Sequence, residues 1–191
     1  NPNPRVRRAS VDTVLDAIAL AKAAYMPIIN LHMPRGNIVT LPDGKHYIFN
    51  EYPDDFHAAL TDFRTACEQA VGIAPVTLCI ENTDGWEPYE HAAIELLLSS
   101  PVFGLTLDIG HDHATGNRDL PFVLSHQQRL QHMHAHDGRG TTNHQALGTG
   151  EIPIAQRLTL AAQCNATVVL ETKTKAALAQ SVNYLKCEGW L

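Results

Sequence analysis

Five side chains of the kinds that bind divalent cations and move protons recur along the chain: His32, Glu81, Asp108, His134 and Glu171. Each closes or directly follows a short apolar run, from Ile28–Leu31 at the start to Thr167–Leu170 at the end. The gaps between the last four are 27, 26 and 37 residues, the length of a strand–loop–helix unit. Carboxylate oxygens and imidazole nitrogens together suit Mg, Mn, Co or Zn. Carboxylates beside such a cation are also placed to exchange protons with a substrate. Strands often end in polar residues simply because strands end at the surface. That accounts for one or two such positions, not for five out of five being His, Asp or Glu. The set reads as a metal or catalytic constellation.

The elements that must position these residues follow from periodicity. Residues 1–10 read as a loop, and Ser10 as the N-cap of a helix over Val11–Tyr25. Pro27 ends it, and Ile28–His32 reads as a buried strand. A long loop is expected over Met33–Pro53, then a helix from Asp54 or Asp55 to about Val71. Strands are expected at Val76–Ile80, Phe103–Leu107, Leu130–His134 and Thr167–Leu170. Helices are expected at Glu87–Leu98, Leu120–His126, Ile154–Gln163 and Lys175–Lys186, the last with Leu178, Val182 and Leu185 in the core. Short continuous apolar strands alternating with helices are what a parallel sheet covered on both faces requires. The carboxyl ends of such strands share one rim, where residues distant in sequence converge.

Composition narrows the function. The 191 residues suit one domain, 1–191. With 14 Lys+Arg against 20 Asp+Glu, the formal charge of −6 speaks against a nucleic-acid partner. The best apolar stretch, Val14–Met33, is broken by Asp16, Lys22 and Pro27, so no membrane span is expected. No signal peptide is expected from the Asn-Pro-Asn-Pro-Arg start, and the expected location is cytoplasmic. The four cysteines are scattered without a Cys-x-x-Cys pair and read as small core or surface residues. Seven of the 11 histidines fall between His111 and His144.

Six segments in order resemble the xylose isomerase-like barrel superfamily. They are Asn30–Pro34, Ile80–Thr83, Leu107–His111, Met133–Asp137, His144–Gly150 and Leu170–Thr172. This group holds sugar and sugar-phosphate isomerases and epimerases together with endonuclease IV-like abasic-site nucleases. The resemblance implies a (β/α)8 TIM barrel, here incomplete, with the first two strands missing from the chain. It implies a divalent metal (Mn, Mg, Co or Zn) held by Glu81, Asp108, His134 and Glu171. Glu81 and Glu171 would also exchange the proton. His32, His111, His144 and Arg139 would bind substrate or an additional metal.

Two enzyme classes share this framework. The trinuclear nucleases carry an Asp-x-His pair before the Leu-Gly-x-Gly segment, whereas this chain reads Thr142-Asn143-His144. A hydroxyl replaces a carboxylate poorly on a dication. Together with the acidic charge, this favours a sugar or sugar-phosphate isomerase or epimerase working through a metal-stabilised enediolate. The alternatives are a phosphodiesterase acting on abasic DNA and a non-catalytic or fragmentary relative. An open barrel exposes strand edges, so a homo-oligomer is expected.

Overall fold

The structure is a computed structural model that describes residues 1, 3–33 and 36–191. Pro34, which closes the segment Asn30–Pro34, lies outside the described residues, as do Pro2 and Arg35. The chain forms two compact units, one of Asn1–Ile80 with Glu87–Gly104, the other of Glu81–Trp86 with Leu105–Leu191.

The first unit opens with helix α1 (Pro4–Ala23), seven residues earlier than a cap at Ser10 would start it. The reason is local: the Asn3 side chain accepts the Arg5 N–H, and Pro4 supplies a preset φ at the first helical position. Strand β1 (Ile28–His32) follows. The expected long loop instead contains a hairpin, β2 (Ile38–Leu41) and β3 (Gly44–Tyr47), paired antiparallel across Pro42-Asp43. A short helix α2 (Ile48–Glu51) leads into α3 (Pro53–Val71). The unit is completed by most of β4 (Thr77–Glu81), α4 (Pro88–Leu98) and the start of β5 (Phe103–Asp108). Its core joins Ile18 and Ala21 of α1 to Phe56, Leu60, Cys67 and Val71 of α3, with Phe49 stacked on Phe56 at 4.4 Å.

The second unit holds the rest of β5, then α5 (Ile109–Ala114), α6 (Leu120–Ser125) and β6 (Leu130–Ala135). A second small hairpin, β7 (Asp137–Arg139) and β8 (Thr142–Gln145), precedes α7 (Ile154–Gln163), β9 (Thr167–Leu170) and α8 (Lys175–Cys187). Strands β5, β6 and β9 run parallel, with Asp108 opposite His134 and Ala135 opposite Leu170. Every residue of β5 is buried, as a strand covered on both faces must be. On α8 the expected core position Leu178 is exposed, and Ser181 and Leu185 are the buried residues.

The sheet order is β1-β4-β5-β6-β9, each parallel-sheet strand beside its predecessor in the chain. With helices in the connections, this is the arrangement of part of a (β/α)8 barrel. Among the described residues no helix is long and apolar enough to cross a membrane.

Candidate metal centre

Four of the five strand-end residues meet in the second unit. Glu81 and Asp108 close their strands, His134 is next to last in β6, and Glu171 directly follows β9. The Glu171 N–H donates to the Ala135 carbonyl, extending the β6–β9 ladder by one residue and fixing where the side chain leaves it. One ligand atom from each of Glu81, Asp108, His134 and Glu171 lies within 4.8 Å of the others. His32 ends β1 in the first unit, exposed at the edge of an apolar cavity of about 340 Å³ that Leu31, Met33, Phe49 and Phe56 also line.

His134 stands among three carboxylates. Its Nδ1 is 3.0 Å from Glu81 Oε1, 3.1 Å from Glu171 Oε2 and 3.6 Å from Asp108 Oδ2. Burial works against a charged ring, yet hydrogen bonds to Asp108 and Glu81 and the charges of Glu81 and Glu171 push the imidazole up to about 10. Burial likewise works against ionising Asp108, but hydrogen bonds from His134 and His136 hold its carboxyl well below the usual range. One ring N–H cannot serve three acceptors. It goes to Glu81, and the buried Glu171 Oε2 is left without a hydrogen-bond partner among the described residues.

Three carboxylates, one imidazole and an orphaned buried oxygen at their meeting point fit a divalent cation. The cation would take the place of the proton that the carboxylates now hold on His134.

Asp108 is fixed from several sides. The Asn82 amide donates to its backbone carbonyl at 3.0 Å and accepts its backbone N–H at 2.8 Å. Its side chain caps α5 by accepting the His111 N–H at 2.7 Å, and His136 Nε2 lies 3.0 Å from Oδ1. None of these partners was singled out by the strand-end pattern. The one available hint for Asn82 is its position directly after Glu81.

His111, His136 and His144 form a second group whose ligand atoms lie within 4.8 Å of one another. His111 Nδ1 is buried with no partner among the described residues. Arg139 is exposed on the β7–β8 hairpin, opposite Thr142. Trp86 is buried edge-on against Phe122, while Tyr89 packs with Tyr47 and Phe56 in the first unit.

Residues 1–186 match a family model described as a xylose isomerase-like TIM barrel. The chain belongs to that family. Among solved structures, a D-tagatose 3-epimerase-like protein is 24% identical, with a TM-score of 0.75 over 100% of this chain and 73% of that one. The IOLI protein with a bound zinc atom is 12% identical, with a TM-score of 0.69 over 97% of this chain and 71% of that one. A D-allulose 3-epimerase from Methylomonas sp. in complex with D-allulose is 15% identical, with a TM-score of 0.63 over 98% and 71%. At these identities the likeness is one of fold. No curated protein sequence matches the chain.

Proposed function

We propose that this family member is a metal-dependent isomerase or epimerase of a sugar or sugar phosphate. Proton transfer between Glu81 and Glu171, through an enediolate of the sugar, is the reaction. The observation that carries the reading is that these two glutamates flank one centre, each about 3 Å from the same His134 nitrogen, with Asp108 completing the set. The fold relatives support the substrate class, since several are ketose 3-epimerases or 3-epimerase-like by name.

A bound Mn, Mg, Co or Zn ion would supply Lewis acidity at neighbouring substrate oxygens, easing removal of the adjacent C–H proton. The chain's own residues do the rest. Glu81 is 3% exposed, so burial fixes its carboxylate before substrate arrives. Glu171 has a side chain 44% exposed and meets incoming substrate directly. One glutamate takes the proton and the other returns it, to the same carbon in an epimerase or to its neighbour in an isomerase. His111 and His144 border the centre and take substrate hydroxyls.

The test is exchange of solvent deuterium into bound ketoses and ketose phosphates with each metal added. The unaltered protein exchanges one carbon-bound hydrogen. Glu171→Gln and Glu81→Gln lose exchange by about 100-fold or more, with the fold retained by circular dichroism. Cleavage of an abasic-site oligonucleotide without sugar exchange would replace this reading with a phosphodiesterase. Metal uptake with neither activity would make the chain a non-catalytic relative.

A further inference from the structure

We propose that His136 is a positioning residue for the metal centre, locked as the Nε2–H tautomer so that it turns one oxygen of Asp108 toward the cation. The inference rests on the metal-dependent reading above.

The tautomer follows from two partners of fixed polarity. The His144 backbone N–H, 2.8 Å from His136 Nδ1, can only donate, so Nδ1 accepts and carries no proton. The proton of the neutral ring then sits on Nε2, which lies 3.2 Å from Asp108 Oδ2 and 3.0 Å from Oδ1, oxygens placed to accept it. The Asp137 carbonyl also lies near Nδ1, but at 3.4 Å it does not compete with the shorter bond. Both demands select one neutral ring, and no other arrangement satisfies both.

The ring is also held in place. His136 is fully buried. His144 stacks on it at 4.2 Å and 25°. On α5, Gly110 leaves room that a Cβ would take from the ring, overlapping Cε1 and Nδ1. Glycine is required there for close approach, not for an unusual φ.

The consequence falls on Asp108. Its Oδ1 takes the His111 N–H at 2.7 Å and lies 3.0 Å from His136 Nε2. Its Oδ2, which accepts the hydrogen bond from that nitrogen at 3.2 Å, is the oxygen that faces His134, at 3.6 Å. His136 therefore fixes the rotation of a ligand carboxylate, as hydrogen-bond partners behind metal ligands commonly do. A second consequence concerns the three-histidine group. Both nitrogens of His136 are engaged, so that group offers open donors only from His111 and His144.

The experiment uses the full chain with Co²⁺ as the probe, titrated by calorimetry and followed by its visible d–d spectrum. His136→Leu is expected to weaken Co²⁺ binding about 10- to 100-fold and to alter the spectrum. His136→Gln, which keeps an N–H at the reach of Nε2, is expected to stay within about 3-fold of the unaltered protein and to restore its spectrum. Melting of each metal-free variant separates this effect from loss of fold. Independently, ¹⁵N NMR of histidine-labelled protein is expected to show His136 protonated at Nε2 alone. An Nδ1-protonated ring, unchanged affinity in His136→Leu, or equal losses in the two variants would overturn the proposal. An unaltered protein that takes up no Co²⁺ would overturn the metal-dependent reading instead, and the NMR tautomer then decides the His136–Asp108 bond by itself.

Discussion

Asn82 clasps the backbone of Asp108 from both ends, one side-chain amide giving a hydrogen bond to its carbonyl and receiving one from its N–H. Both residues are fully buried. The pair works like two rungs of a β ladder made by a side chain just beyond β4, and it sets where the Asp108 carboxylate sits. Asn82→Ala would leave a buried N–H and a buried C=O unpaired, each worth about 1–3 kcal/mol. The expected outcome is a loss of about 2–4 kcal/mol in urea unfolding with the slope unchanged, together with weaker Co²⁺ binding. A variant as stable as the parent would show that this clasp contributes nothing.

Gly110→Ala tests the packing behind the centre. In an exposed helix the change should stabilise by up to about 1 kcal/mol. Here the added methyl overlaps the His136 ring, so the expected net effect is a loss of about 1–3 kcal/mol. Co²⁺ affinity should fall alongside it. Combining Gly110→Ala with His136→Ala removes the ring that the methyl strikes, so the two losses should not add. Strict additivity in the double-mutant cycle would contradict the contact.

Cys67 gives a pH-dependent readout of the first unit. It is fully buried among the helices, and burial pushes its thiol up to about 12. Below that value the native thiol is protonated, and only the thiolate is alkylated. At pH 8 the thiolate fraction is on the order of 10⁻⁴. Iodoacetamide should therefore label the exposed Cys187 well before the buried Cys67, with the Cys67 rate rising about tenfold per pH unit between 7 and 9. Mass spectrometry of quenched samples measures both. Equal native rates would contradict the placement of Cys67, whereas urea should equalise them.

The strand ends were legible in the sequence because a parallel strand is a short apolar run, and its last residue is visible as the first polar one. Glu81, Asp108 and Glu171 follow that rule, His134 stands one residue before the end of a strand that already carries Gln131 and His132, and all four meet in one unit. The family resemblance read from six short segments is confirmed over residues 1–186. The hairpin across Pro42-Asp43 was hidden by its setting. Its strands are four residues each and largely exposed, so burial imposes no clear alternation on them. The start of α1 was missed because Asn3-Pro4 is a cap and a first turn as readily as a loop. The supports of the centre were harder still. Asn82, Gly110 and His136 act through contacts with residues 26 or more positions away, and no local period reports such pairs.

Asp137 shows how a motif that looks like an anion site can already be occupied. Its Oδ1 accepts the N–H groups of Gly138 at 2.9 Å and Ile152 at 3.2 Å. Its Oδ2 accepts those of Gly148 and Gly150, both at 2.9 Å. Gly150 sits so close that a Cβ would overlap this carboxylate and the Gly138 carbonyl. The Gly148 and Gly150 amides therefore face an internal carboxylate and the Thr149 N–H is taken by the Ala146 carbonyl, so a substrate phosphate finds no free donors there. Asp137→Ala should cost about 3 kcal/mol or more, since several buried N–H groups lose their acceptor together. Hydrogen exchange should show residues 146–152 losing protection ahead of the strands. Asp137→Asn should restore little, because its NH₂ would face donors. In the unaltered protein, inorganic phosphate should leave exchange in that loop unchanged; added protection by phosphate would mean that the glycine amides are open to a ligand after all.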